Sequence, residues 1–336
     1  MFNWLTKAGQ KFDLITVGDT VMDCFIRLEE ATIREPASGE ELCLRFGDKI
    51  PYQSATLVPA VGNSANAAVS ASRLGLKTAF ISHLGVDQNA DLALGTFRRE
   101  KVATDFIEKQ TGKKTNYHYV LWYANDRTIL IHHETYDYAW PKVSAAKWLY
   151  LSSLGENTAD YHQAILAYLQ KNPGVKLAFQ PGTYQIAMGP EQLAGIYQRS
   201  EIFFCNLAEA KRILKTNNNE IKNLLAGLKK LGPKVVVITD GPAGAYYQDE
   251  AGSNFFLPIW PDEKPPVQRT GAGDALASTT VSALCLGKNL DEALSWGPIN
   301  SASVVQHIGA QAGLLTREAL ETKLKQRTAD YQARPL

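Results

Sequence analysis

EIFFCNLAEAKRILKTNNNEIKNLLAGLKKLGPKVVVITD, residues 201–240, holds two apolar runs separated by helical patterns. The runs, EIFFCN (201–206) and KVVVITD (234–240), are short and rich in β-branched and aromatic residues, so they read as strands. Neither alternates polar with apolar residues, as a strand with one wet face would. Strands buried on both faces belong to a parallel sheet, and the patterns at 207–215 and 219–231 supply the helices that cover it.

The same rhythm extends on the N-terminal side. FDLITVG (12–18), TAFISHLG (78–85), WLYLSS (148–153) and KLAFQ (176–180) are further strands, with helical patterns at 62–75, about 89–101 and 158–171. The expectation is an α/β fold with a mostly parallel sheet in three α/β/α layers. Two stretches interrupt it. Residues 23–58 are rich in charge and turn residues and lack a helical period. TNYHYVLWYANDRTILIHHETYDYA (115–139) reads as a hairpin about a polar ANDR turn. Together they predict a small second sheet over one end of the first, or else an extension of its edge. His132 and His133, adjacent on a strand, would point to opposite faces and make a poor metal pair. RTADYQARPL (327–336) reads as the solvated end of a helix.

The 336 residues are 45% hydrophobic and 21% charged, with a net charge of +1. That balance gives no reason to expect nucleic acid or an anionic membrane as partner, while leaving a local anion site open. Cys24, Cys43, Cys205 and Cys285 are far apart and form no C-x-x-C, so reduced thiols in a cytoplasmic protein are expected. No apolar stretch nears the length of a membrane span, and MFNWLTKAGQKFDLITVGD lacks a signal-peptide core.

Chemistry concentrates in QRTGAGDALAST (268–279). Glycines at 271 and 273 permit a tight turn and close approach to a ligand. DALASTTVSALCL (274–286) is a good helix, so the 271–273 amides lie at its N-terminus, where free N–H groups and the positive dipole end favour an anion. Asp274 would sit beside that anion, able to take a proton from an attacking hydroxyl. The plainer alternative is a turn with Thr270 or Asp274 capping the helix. TGKKT (111–115) lacks the upstream glycine of a P-loop, and Leu276 breaks G-x-G-x-x-G. A dinucleotide fingerprint after the first strand is likewise missing from VGDTVMD (17–23).

TGAGDA resembles the second signature of the PfkB, or ribokinase-like, family of carbohydrate and nucleoside kinases. VGNSANAAVSASRLG (61–75) resembles the first signature, NLAE (206–209) the Asn-x-x-Glu motif, and VGDTVMD the start of the first strand. ITDGPAGA (238–245) is similar to the nucleotide-side strand and turn, and SVVQHIGAQ (303–311) to the closing helix and loop. Six stretches stand in the family's order. The resemblance implies one kinase domain over 1–336 with lid insertions at about 23–58 and 115–139. It implies transfer of phosphate from ATP to a hydroxyl, expected to be primary, of a small sugar, or of a nucleoside. A non-catalytic sugar- or nucleotide-binding protein on this fold is the alternative from another class.

The resemblance also assigns residues. Asp274 matches the base; Gly271, Ala272 and Gly273 match the anion hole. Asp23, with Asp19 nearby, matches the carboxylate that grips acceptor hydroxyls, and Gly62, Asn63 and Asn66 complete that site. Asn206 and Glu209 match the motif that organises Mg²⁺; the plainer reading of N-x-x-E is a capping box. Thr239, Asp240, Gly241 and Gly244 match the nucleotide loop, and His307 and Gly309 fall near the adenine pocket. The aromatic lid hairpin is the expected surface of a homodimer, and Arg127 reads as solvated. The sequence departs from the family at Gln268, where the usual signature has an aspartate that in many relatives belongs to a monovalent-cation site. With Arg269 beside it, weak or no K⁺ dependence is expected. Val61 replaces a glycine, and Gln180 stands where relatives often have an acidic residue.

Overall fold

A computed structural model describes residues 12–36, 39–124 and 126–336; the reading of the first eleven residues, positions 37–38 of the first interrupting stretch and position 125 of the hairpin turn lie outside them. The chain begins with β1 (Leu14–Val17), β2 (Val21–Leu28), a small pair β3 (Thr32–Arg34) and β4 (Glu41–Cys43), and β5 (Tyr52–Val61). Then come α1 (Asn63–Arg73), β6 (Thr78–Gly85), α2 (Gln88–Arg99), β7 (Ile107–Gln110), β8 (Asn116–Tyr123) and β9 (Asp126–Leu130). The middle carries β10 (Trp148–Leu151), α3 (Ala159–Lys171), β11 (Lys176–Phe179), the short α4 (Thr183–Met188) and α5 (Ala194–Arg199), and β12 (Ser200–Asn206). After α6 (Leu207–Leu214) and α7 (Ile221–Lys229) follow β13 (Val235–Thr239), β14 (Ala245–Gln248) and β15 (Asn254–Leu257). Helices α8 (Ala272–Cys285), α9 (Leu290–Val304) and α10 (Arg317–Lys325) precede a last strand, β16 (Arg334–Pro335).

Ten strands form the main sheet in the order β16-β15-β14-β13-β12-β11-β10-β1-β6-β7. From β13 to β7 every pairing is parallel; β14, β15 and β16 add antiparallel strands at one edge. The near-continuous apolar strands explain the layering. Successive residues of one strand enter different cores: Ile15, Leu149, Phe179, Phe203 and Val236 pack with α3, α5, α6 and α7, while Leu14, Tyr150, Ala178, Phe204 and Val237 pack with α1, α8 and α9. Alanines and serines of α1 and α8 let the two helices approach closely, with Ser70 and Thr279 hydroxyls 3.4 Å apart.

The two interrupting stretches build a separate sheet, β5-β2-β8-β9, rather than an edge extension. β8 and β9 are the expected hairpin, but β8 pairs parallel with β2, and the strands end at Leu130. His132 and His133 therefore lie beyond the strand; His132 is exposed and His133 half-buried. The C-terminal reading is corrected as well. α10 ends at Lys325, and the chain returns to pair β16 with β15, burying Tyr331 against Trp260. No helix among the described residues is long and apolar enough to cross a membrane.

Candidate active site

Parallel strands end together, and their C-terminal ends open on one cleft, the usual ligand position in an open α/β sheet. Asp19 follows β1, Gln180 follows β11, Asn206 ends β12 and Thr239 ends β13. Facing them is the start of α8. Its N-cap is Gly271, with φ 82° and no side-chain cap. A Cβ here would collide with Cβ of Ala310, so both conformation and close approach require glycine. The simple capping alternative therefore fails: Thr270 Oγ1 is buried without a hydrogen-bond partner, and the Asp274 carboxylate accepts from Asn66 and Gln180 rather than from the helix amides.

Asp274 is instead held by two amides. Asn66 Nδ2 donates to one oxygen at 2.8 Å and Gln180 Nε2 to the other at 3.0 Å. Each amide is anchored in turn. Gln311 Nε2 donates to Asn66 Oδ1 (3.0 Å) and to the Ala60 carbonyl (2.6 Å). The hydroxyl of Tyr150, fully buried, donates to Gln180 Oε1, and Ser152 holds the Gln180 carbonyl. Desolvation raises the Asp274 pKa above the ordinary carboxylate value; the Asn66 and Gln180 hydrogen bonds oppose that rise, and the charge of Asp23 adds to it. Burial, aided by the Asp274 charge, pushes the Tyr150 phenol well up, which keeps it a donor. Asn66, expected on the acceptor side, thus has both amide atoms engaged within the protein.

The cleft, about 380 Å³, is lined on one side by Gly271, Ala272, Gly273 and Asp274 and on the other by Asn206, Glu209, Thr239, Gly241 and Gly244. Ile259, Trp260, Pro298, Ala302 and Val305 give it an apolar wall. Asn206 and Glu209 do form the capping box: Asn206 Oδ1 accepts the Glu209 amide and Glu209 Oε2 the Asn206 amide, both at 2.8 Å. Burial raises the Glu209 pKa, opposed by the Asn206 backbone bond. The box leaves Oε1 of Glu209 without a protein hydrogen bond among the described residues. No group of three His, Cys, Asp or Glu side chains placed to hold a metal ion occurs among the described residues. One carboxylate with an adjacent amide fits Mg²⁺, which retains several waters and takes most remaining ligands from phosphate oxygens. Asp240, His307 and Gly309 lie off the cleft lining. The Asp240 amide closes the turn on the Gly244 carbonyl, the His307 ring bonds the Ser303 carbonyl, and Gly309 packs on Val58 of β5.

On the acceptor side, Asn63 lines the cleft and Gly62, with φ 111°, carries the chain so close that a Cβ would meet the Asp19 carbonyl at 2.8 Å. Asp19 is buried, accepting from Tyr138 Oη and from the Gly155 amide. Asp23 faces His118, its register partner on β8. Arg127, read as solvated, lines the same cleft from the second sheet, and its Nε is buried without a partner. Gln268 is also buried. Its Nε2 donates to the carbonyls of Thr270 (3.1 Å) and His307 (2.9 Å), and its Oε1 accepts the Thr270 amide, stapling the anion-site loop to the 305–311 turn.

Sequence patterns alone did not single out Tyr150, Gln311, His118 or Trp260. Tyr150 carried one signal, a phenol inside an apolar strand.

Comparison with known proteins bears on the family and the fold. The pfkB family carbohydrate kinase pattern matches residues 13–317. The 5-dehydro-2-deoxygluconokinase of Bacillus subtilis is 26% identical, covering 77% of this chain and 85% of that protein. Among solved structures, the nucleoside kinase of Methanocaldococcus jannaschii, an archaeal member of the ribokinase family, superposes with a TM-score of 0.77 at 20% identity, covering 95% of this chain and 100% of that one. The ribokinase of Arabidopsis thaliana, complexed with ribose and ATP, gives the same TM-score and identity, covering 94% and 99%.

Proposed function

The chain belongs to the pfkB family of carbohydrate kinases and is a phosphotransferase of the ribokinase fold, and we propose that it moves the γ-phosphoryl group of ATP to a hydroxyl of a small sugar with Asp274 as base. The carrying observation is the Asp274 carboxylate, held at both oxygens beside uncapped amides at the start of α8. Asp274 takes the proton of the acceptor hydroxyl as its oxygen bonds to phosphorus. The bond from the γ-phosphorus to the bridging oxygen breaks and ADP leaves. The Gly271–Gly273 amides hold the charge carried by the phosphoryl group in transit, a task that needs positioning more than covalent chemistry.

Asn66 and Gln180 act as positioning residues, fixing the carboxylate and favouring its ionised form. Arg127 brings a guanidinium into the same cleft from the second sheet, which serves as a lid that excludes competing water. The apolar wall from Ile259 to Val305 suits a purine base, with Thr239, Gly241 and Gly244 toward the phosphates. Asn206 and Glu209 would hold Mg²⁺, whose bound form neutralises phosphate charge.

The lid's outer face supports a homodimer. Leu57, Cys24, Tyr119 and Leu130 form one cross-strand row, and its three large apolar members are 43%, 47% and 51% exposed. Light scattering on the wild type should give a dimer mass, and Tyr119→Glu a monomer; a monomeric wild type rejects it.

The kinase assignment is tested by ADP release from ATP across pentoses, hexoses and nucleosides. Stimulation by at least one acceptor, with phosphorylated product by ³¹P NMR, is expected. No stimulation by any would favour a binding protein on this fold.

A further inference from the structure

The parallel register of β2 and β8 sets Asp23 opposite His118, with Oδ1 and Nδ1 3.4 Å apart. The segment after β9 brings His133 Nδ1 to 3.6 Å from Asp19 Oδ2. The two imidazole centroids are 5.2 Å apart, and Tyr184 at the start of α4 meets His133 edge-on at 5.3 Å. The cluster is largely withdrawn from solvent: the side chains of His118, Asp23 and His133 are 13%, 12% and 10% exposed. Yet Asp23 Oδ1, His118 Nε2 and His133 Nδ1 are buried and make no hydrogen bond. Buried polar atoms are seldom left unpaired, because desolvation without a partner is costly. His118 Nε2 has no protein partner, and Asp23 Oδ1 and His133 Nδ1 have only the long contacts to His118 and Asp19, so the cluster points to a ligand that completes it.

Their chemistry narrows that ligand. A carboxylate accepts hydrogen bonds only, whereas a neutral imidazole offers one donor and one acceptor. Hydroxyl groups serve both, and two on adjacent carbons can bridge a carboxylate and an imidazole at once. Carboxylates gather at the cluster: Asp19 and Asp23 belong to it, and Asp23 lies close enough for its charge to act on Asp274. The arginines Arg127 and Arg269 line the cleft that holds the α8 amides. A carboxylate brought in by the acceptor would meet like charge.

Resting on the kinase reading, we infer that His118 and His133 with Asp23 form the acceptor-recognition cluster and select a neutral acceptor bearing a vicinal diol over an anionic sugar acid. A free sugar and the ribose of a nucleoside share this chemistry.

The test uses the full chain in an ADP-release assay. Ribose, glucose and adenosine are each set beside the 2-deoxy or 2′-deoxy counterpart, with gluconate as the anionic acceptor. Wild-type enzyme should use at least one neutral diol, and its deoxy counterpart should fall about 10- to 100-fold in kcat/KM. In His118→Phe and His133→Phe that ratio should shrink toward one, mainly through acceptor KM. The sugar and nucleoside arms identify the source of the diol. Gluconate used as well as every neutral acceptor overturns the inference. So does an unchanged ratio in both variants when they melt like wild type, or in His118→Gln and His133→Asn if the phenylalanine variants do not fold. Release of ADP with none of the acceptors would overturn the kinase reading and this inference with it; phosphorylation without the diol preference overturns this inference alone.

Discussion

Replacing Gln180 by leucine removes one of the two donors that hold Asp274 and leaves the Tyr150 hydroxyl, fully buried, without its acceptor. A hydrogen bond to a charged group is worth about 1.5–3 kcal/mol, which here favours the ionised carboxylate. Its loss makes protonation of Asp274 roughly 10- to 150-fold easier at a given pH. The sign follows from the base's role. Asp274 must be ionised to act, its pKa is already raised by desolvation, and the Gln180 bond works against that rise. Without it, turnover should decline at a higher pH as pH falls, so the acid limb of log kcat moves upward. Gln180→Glu keeps an acceptor for Tyr150 and should move the limb the same way by like-charge repulsion. The orphaned phenol in the leucine variant should cost about 1–3 kcal/mol of stability, a loss the glutamate variant largely avoids. Profiles of kcat between pH 4.5 and 8, with thermal melts, separate the effects. An acid limb unmoved in both folded variants would refute the coupling of Gln180 to the base.

Gln268 donates to two carbonyls, so a glutamate there would set a negative oxygen against both. Wild-type activity should be flat in K⁺ at fixed ionic strength, whereas Gln268→Glu should lose about 10-fold or more and regain part of it with K⁺; many-fold K⁺ stimulation of the wild type would contradict this. Gly271→Ala forces a positive φ and a contact with Ala310, at about 1–3 kcal/mol for the backbone alone. It should lower the melting temperature and displace the amides at the start of α8, and wild-type melting and turnover would count against that geometry. Glu209→Gln can retain the capping box yet loses the carboxylate. Half-saturating Mg²⁺ should rise about 10- to 100-fold with little change in melting, and an unchanged Mg²⁺ requirement would return the pair to a purely capping role.

The layered α/β fold was legible because its strands are apolar on both faces and the helices between them show their period. The antiparallel edge was less so. β14 and β15 are four residues each, β16 two, and nothing local in RTADYQARPL announces a strand that depends on its partner. The parallel pairing of β2 with β8 joins residues 95 apart in sequence, such as Val21 and Asn116, and carries no local mark. At the site, TGAGD disclosed the glycine turn, since φ at Gly271 and the approach to Ala310 admit little else. The partners of Asp274 were hidden for a different reason. Asn66, Gln180 and Gln311 come from three distant segments, and a glutamine by itself does not tell whether it holds a metal, a ligand or a carboxylate. Arg127 reads as solvated in a polar turn, and only the second sheet's packing turns it to the cleft. The same packing separates the two adjacent histidines, sending His133 to Asp19 and leaving His132 in solvent.

The central claim, that Asp274 accepts the acceptor's proton, is tested most directly by the turnover of Asp274→Asn. The change keeps size and the start of α8 but removes the ionisable oxygen. With a melting temperature close to wild type and ATP still bound, turnover with the best acceptor should fall at least ~10²-fold at every pH. A folded variant that turns over within about twofold of wild type would contradict the assignment.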